Sequence, residues 1–308
     1  MRPRPSRLVT ATAAIILGVP VVSGCEAKVY GTPPEPTGPQ LTVVAPLGSL
    51  APLPEAPPDE PAASFSGLQA RTAQATADAA AAGADITSLV LDRSTGQRVS
   101  NGNNRGIAIA SVVKLFIADD LLLQESRGET ELTAADRTSL QSMLRASDDG
   151  AAQMFWDRSG GSAVIARIKQ RYALGATTAP YNGRWDVTQS TASDLVRYYD
   201  MLLDGAGGLP PEQTDVIVSN LAQSTPTGLD GYPQRFGIPE GLFAEQVAVK
   251  QGWFCCWNGG NQLHVSTGII GSDRRYVMAI SSLDPTGEAA ARQHITEAVE
   301  TMFPGGQI

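Results

Sequence analysis

The sequence predicts a mixed α/β (α+β) domain over residues 64–308: an antiparallel sheet of about five strands, flanked by N- and C-terminal helices and interrupted by an all-helical block. Three observations predict it. The periodic segments run helix, two strands, helical block, three strands, helix, an order that layers helices on a sheet. Hydrophobic residues make up 42%, enough for a packed core and too many for a disordered chain. The segment 110–125 is apolar almost all round, with Val112, Val113, Leu115, Phe116, Ile117, Leu121, Leu122 and Leu123, as a buried helix is.

Each element has its own signal. Residues 66–82 are Ala-rich and stop at Gly83, which reads as a helix and its C-terminal glycine. Residues 87–91 and 97–101 are strand-like and flank Ser94-Thr95-Gly96, a hairpin signal. From 133 to about 205 the periodicity is mostly helical, with a loop at 175–185. Residues 247–253, 263–270 and 276–282 read as three strands, and 287–302 as a closing helix.

The segment before the domain reads as an address and a tether. Arg2, Arg4 and Arg7 precede an apolar run over 8–22, too short and wrongly flanked for a spanning helix. Val22-Ser23-Gly24-Cys25 resembles a bacterial lipobox, which implies cleavage after residue 24 and a lipid on Cys25. The expected location is the outer face of the cytoplasmic membrane or the cell envelope. Residues 31–62 hold ten of the 21 prolines, so the span 25–63 is expected to be an extended tether. Its reach is up to roughly 100 Å in polyproline II.

Charge narrows the function. The chain carries 23 Lys+Arg against 31 Asp+Glu, a formal −8. That balance argues against a nucleic-acid binder. Only four lysines occur, Lys28, Lys114, Lys169 and Lys250, and two fall in motifs with chemistry.

In Ser111-Val112-Val113-Lys114, residues three apart on a helix share one face. A lysine on an apolar helix loses basicity through desolvation and can take the proton of a serine nucleophile. Ser147-Asp148-Asp149 is the second motif, and also a good helix N-cap. Lys250-Gln251-Gly252, in the strand at 247–253, is the third.

In this order the three motifs resemble those of the penicillin-recognising serine enzymes, class A β-lactamases and penicillin-binding proteins. The segment 143–156 (MLRASDDGAAQMFW) looks like their S-D-N loop and the helix after it. The resemblance implies a β-lactamase/transpeptidase-like fold with a reduced helical subdomain. It implies Ser111 as nucleophile, Lys114 as base and Ser147 as proton shuttle. It assigns Asp149, Lys250, Gln251, Gly252 and Trp253 to substrate, with the Ser111 and Trp253 N–H groups as an oxyanion hole. Three positions depart from the family pattern. Asp149 replaces Asn and can pair with Lys114, Gln251 replaces a hydroxyl residue, and Trp253 is bulky. No Asp or Glu lies between Asp157 and Asp186, where class A enzymes carry the Glu that activates the deacylating water. The runs 198–209 (YYDMLLDGAGGL), 224–239 (STPTGLDGYPQRFGIP) and 247–256 (VAVKQGWFCC) look like the LppW-type lipoproteins.

The expected function is therefore a lipid-anchored envelope serine hydrolase acting on wall-peptide-like amides or esters, with poor or absent β-lactam hydrolysis. The alternative is a non-catalytic descendant that binds a wall component or a protein partner. No cofactor and no metal are expected, because His264 and His294 occur without a Cys-x-x-Cys pattern. Cys255-Cys256 leaves a vicinal disulfide, an intermolecular pair and two buried thiols all open, and the sequence leaves the oligomeric state open too.

Overall fold

A computed structural model describes residues 65–308 of the chain; the expected signal sequence, Cys25 and the tether lie outside the described residues. Helix α1 (Leu68–Ala81) leads into strands β1 (Asp85–Asp92) and β2 (Arg98–Ser100). A two-residue strand, β3 (Ile107–Ala108), precedes a 3₁₀ turn (Ala110–Val113) that runs directly into α2 (Lys114–Ser126). Then come α3 (Ala134–Arg145), α4 (Asp149–Arg158), α5 (Ala163–Tyr172), β4 (Gln189–Ser190), α6 (Ala192–Leu203) and α7 (Pro211–Leu221). A single turn, α8 (Ile238–Gly241), leads to β5 (Val247–Trp257), β6 (Asn261–Ile270) and β7 (Tyr276–Asp284), and α9 (Glu288–Met302) closes the order.

The five long strands form one antiparallel sheet in the order β2-β1-β7-β6-β5, so β5 is an edge strand. Both faces are covered, and strand alternation sorts the side chains between them. Leu89, Leu91, Val265, Val277 and Ala279 pack toward α2, α6 and the helical block. Ile86, Val90, Met278 and Ile280 pack toward α1 and α9. The helix ends carry local reasons for starting where they do. Thr133 and Asp136 form a capping box on α3, Asp148 accepts from the Ala151 N–H at 3.0 Å to start α4, and Thr191 caps α6.

Two sequence expectations change in detail. The helix expected at 110–125 begins as a 3₁₀ turn, and its first residue, Ala110, has a φ of +46°, in the left-handed region. Strands β3 and β4 pair with each other outside the main sheet, with Gln189 of β4 also bridging Thr178, and are too short to leave a periodic signal. As expected, α2 is buried from Lys114 through Leu123. Within it, Asp119 is fully buried and takes hydrogen bonds from the Tyr172 and Tyr198 hydroxyls beside the Arg171 guanidinium.

Candidate active site

The three motifs converge at the junction of the sheet edge and the helical block. Ser111 sits in the 3₁₀ turn and Lys114 opens α2, so the i, i+3 spacing brings them together, and Lys114 Nζ lies 2.8 Å from Ser111 Oγ. Ser147 lies in the tight connection between α3 and α4, with φ at +57°. Its Oγ is 3.1 Å from Lys114 Nζ and 2.9 Å from Lys250 Nζ. Its carbonyl accepts from Lys114 at 2.6 Å. Asp148 caps α4, which leaves Asp149 in the first turn, where its Oδ1 pairs with Lys114 Nζ at 2.6 Å. One serine hydroxyl is thus bracketed by two ammonium-type nitrogens, one of which also touches the other serine.

Burial governs the electrostatics. Both lysine side chains are almost wholly out of water. Burial pulls the Lys114 amine below its ordinary pKa, against the opposing pull of Asp149. Lys250 lies well below its ordinary value, first through burial and then through the neighbouring Lys114 charge. Asp149 is unlike its partner, with 69% of its side chain exposed.

Gly252 is explained by close approach. A Cβ there would stand 2.5 Å from the Ile109 carbonyl oxygen and 3.3 Å from the Ser111 nitrogen. The edge strand therefore lies directly against the turn that carries Ser111, and only glycine fits.

Gln251 corrects the expectation from sequence. It is fully buried, and Nε2 donates to the carbonyls of Gln234 at 3.0 Å and Phe236 at 2.6 Å. The cause is the strand period. Lys250 pairs with Thr267 and Gln251 with Ser266, so the two side chains leave β5 on opposite faces. Gln251 braces the segment before α8 and does not reach the cleft beside Ser111.

That cleft holds about 240 Å³. Ser111, Asp149 and Trp253 line it, together with residues that sequence reasoning did not single out for it: Gln153, Arg184, Trp185, Asp230 and Phe254. Asp186 lines it as well, ion-paired to Arg184. Trp253 stacks on Tyr232 with ring centroids 4.7 Å apart and planes 8° apart, and its Nε1 donates to Asp230 at 3.2 Å. Lys114 Nζ stands 4.9 Å from the Trp185 ring centroid. The acidic position at 230 carried no local motif; only the loop over 224–239 brings it here.

The remaining oddities resolve simply. Cys255 and Cys256 are joined as a disulfide at the exposed end of β5, where a register shift interrupts the ladder. His264 is buried on β6 with its Nε2 2.6 Å from the Tyr232 hydroxyl, and His294 on α9 pairs with Asp284.

No family model matches the chain. Among solved structures, TLA-3 extended-spectrum β-lactamase aligns with a TM-score of 0.64 and 12% identity, over 77% of this chain and 98% of that one. PBP-A aligns with a TM-score of 0.63 and 17% identity, over 80% and 97%. A β-lactamase from Chitinophaga pinensis gives a TM-score of 0.61 and 14% identity, over 76% and 98%. The fold is thus that of class A β-lactamases and penicillin-binding proteins. The lipoproteins LppW of Mycobacterium tuberculosis and Mycobacterium bovis are each 53% identical over 318 residues, covering 100% of both chains. At that identity and coverage, the chain belongs to the LppW lipoprotein family.

Proposed function

We propose that the chain is a lipid-anchored cell-envelope serine hydrolase, with Ser111 forming an acyl-enzyme on wall-peptide-like amides or esters. Residues 1–24 are then the signal peptide, Cys25 the lipidated N-terminus, residues 25–63 the tether and 64–308 the reactive domain. The lipobox-like sequence and the family's description as lipoproteins support the anchor.

The observation that carries the chemistry is the 2.8 Å contact between Lys114 Nζ and Ser111 Oγ, with Ser147 between the two lysines. Neutral Lys114 takes the Ser111 proton as Oγ attacks the substrate carbonyl. The N–H groups of Ser111 and Trp253 receive the oxyanion. Ser147 passes a proton from the lysine pair to the leaving nitrogen or oxygen, the carbonyl re-forms, and an ester on Ser111 remains. Water then cleaves that ester and restores the hydroxyl. Deacylation is slow in this reading. The cleft carboxylates are engaged by Lys114 (Asp149), by Arg184 (Asp186) and by N–H donors (Asp230). None of them is poised to activate a water.

One observation favours the second reading, a binding protein without catalysis: the Asp149 pair holds Lys114 toward its charged, non-basic form. Intact-protein mass decides between the two. Protein extracted from its membrane should have the mass of a chain beginning at Cys25 plus lipid. It should gain one adduct from a fluorophosphonate, lost in Ser111→Ala and in Lys114→Ala, and should gain a penicillin adduct slowly. An adduct on another residue, or none at all, supports the binding protein.

A further inference from the structure

The charge of the cleft beside Ser111 is set by two features that oppose an anionic substrate. The lysines that the resemblance assigned to positive charge stand behind the cleft, buried: Lys250 is 1% exposed, and its Nζ is spent on Ser147 Oγ and the Gln251 carbonyl. Facing the cleft instead are carboxylates. Asp149 is balanced by Lys114, and Asp186 by Arg184. Asp230 makes no ion pair among the described residues, and the buried Lys114 and Lys250 amines act on it only as more distant charges. Its two oxygens accept only from neutral donors, Oδ1 from the Tyr232 N–H at 3.0 Å and Oδ2 from Trp253 Nε1 at 3.2 Å.

Asp230 is also held rigidly. The Gly228 N–H donates to the Tyr232 carbonyl at 2.8 Å, closing the turn that carries it. A Cβ on Gly228 would stand 2.7 Å from Asp230 Oδ1 and 3.2 Å from the Trp253 ring, so the turn folds against that ring only with glycine. Behind Trp253, Tyr232 is stacked and tied to His264. The wall therefore offers an aromatic ring with a fixed anion at its edge, and Trp185 adds a second aromatic ring to the lining. Ring faces and a carboxylate together recognise an organic cation, which is attracted by both the π quadrupole and the charge.

We infer that this cleft selects acyl donors bearing an ammonium group, seated against Trp253 and Asp230, over donors bearing a carboxylate. The inference rests on the reading of this cleft as the reactive site and names the substrate class that site takes.

Three matched 4-nitrophenyl esters test it on the full chain: 4-(trimethylammonio)butanoate, its neutral isostere 5,5-dimethylhexanoate, and the anionic glutarate monoester. The rate read is nitrophenolate release that depends on Ser111. In parallel, the corresponding unreactive primary amides are titrated against Ser111→Ala by tryptophan fluorescence. The cationic probe should exceed the neutral one at least tenfold in both readouts, and the anionic one should be weakest. Salt should shrink the gap. Asp230→Asn should reduce the preference to threefold or less, and Asp230→Lys should place glutarate first. Equal binding of the cationic and neutral amides, tighter binding of the anion, or an unchanged preference in both Asp230 variants would overturn the inference. A cationic preference in binding with no Ser111-dependent release would instead leave the inference standing and overturn the hydrolase.

Discussion

Replacing Asp149 by Asn should move the pH dependence of Ser111 acylation to lower pH by about one unit. Asn keeps an oxygen that can accept from Lys114 Nζ, so the perturbation removes charge and little else. Asp149 Oδ1 and Lys114 Nζ are 2.6 Å apart, with the carboxylate largely in water and the amine fully buried. Screening that contact as strongly as bulk water does still leaves about 1.6 kcal/mol favouring the charged amine, or about one pKa unit. The sign follows from the chemistry. Only neutral Lys114 accepts the Ser111 proton, so the acylation rate rises with pH through the lysine's pKa. Burial already lowers that pKa, and the Asp149 charge opposes the lowering, as Asp148 and Asp230 do more weakly. Without Asp149 the pKa drops further, so the rising limb moves left. At a pH below both limbs, the variant should react up to about tenfold faster. The assay is the second-order rate constant for a fluorophosphonate from pH 5 to 10, in wild type and Asp149→Asn at one ionic strength. A limb that stays in place, or moves to higher pH, would refute the role of Lys114 as base.

Two further outcomes follow from burial. Gly252→Ala drives a Cβ against the Ile109 carbonyl, a backbone atom that cannot swing aside; it should cost about 1–3 kcal/mol in urea unfolding and at least tenfold in fluorophosphonate labelling, and a variant with wild-type labelling would show that the edge strand does not set the Ser111 geometry. Burial lowers the His264 pKa from 6.5 to about 4, so the unfolded chain binds a proton there before the folded one does; that stability is complete above pH 6.5 and is lost as pH falls toward 4, by about 3 kcal/mol, and a His264→Gln variant with the same acid limb in urea unfolding would contradict it.

What the sequence disclosed, and what it hid, divides along the range of the interactions. Ser111 and Lys114 were legible because their contact is made by one helical turn. The order of strands and helices was legible because each long strand or helix carries its own period. The pair β3 and β4 was not, since two residues make no pattern. Gln251 shows how a motif can mislead: its position beside Lys250 resembles a substrate-binding pair, yet the strand period alone sends it to the other face. Asp230 and Tyr232 were present in a quoted run, 224–239, but nothing local says that this loop reaches the cleft. Trp253, bulky for its position, lines the cleft, but its partners come from 21 and 23 positions upstream. For Cys255 and Cys256 the sequence leaves three states open, and the structure joins them as a disulfide where the β5 register shifts.

The arrangement around Ser111 runs against folding economy, and that bears on whether the site still has a use. Two lysines are buried within about 3 Å of one serine hydroxyl, where each disfavours the other's charge. The residues that place the two serines, Ala110 and Ser147 itself, hold positive φ angles, each costing on the order of 1–3 kcal/mol. Any of these features could be relaxed by a single substitution: an apolar residue for Lys250, or glycine at position 110 or 147. A scaffold needed only for its outer surface would gain stability from each such change at no loss. Positive φ also occurs away from the site, at Ala173, Asn258 and Arg274, but Ala110 and Ser147 hold it at the atoms that a Ser-Lys acyl transfer requires. The departures from the enzyme pattern leave the nucleophile and its base in place: Gln251 lies on the far face of β5, Trp253 lines the cleft where it bears on which substrate enters, and Asp149 weakens Lys114 as a base without removing it. Under the proposed hydrolase reading, such departures would redirect the chemistry to a different substrate.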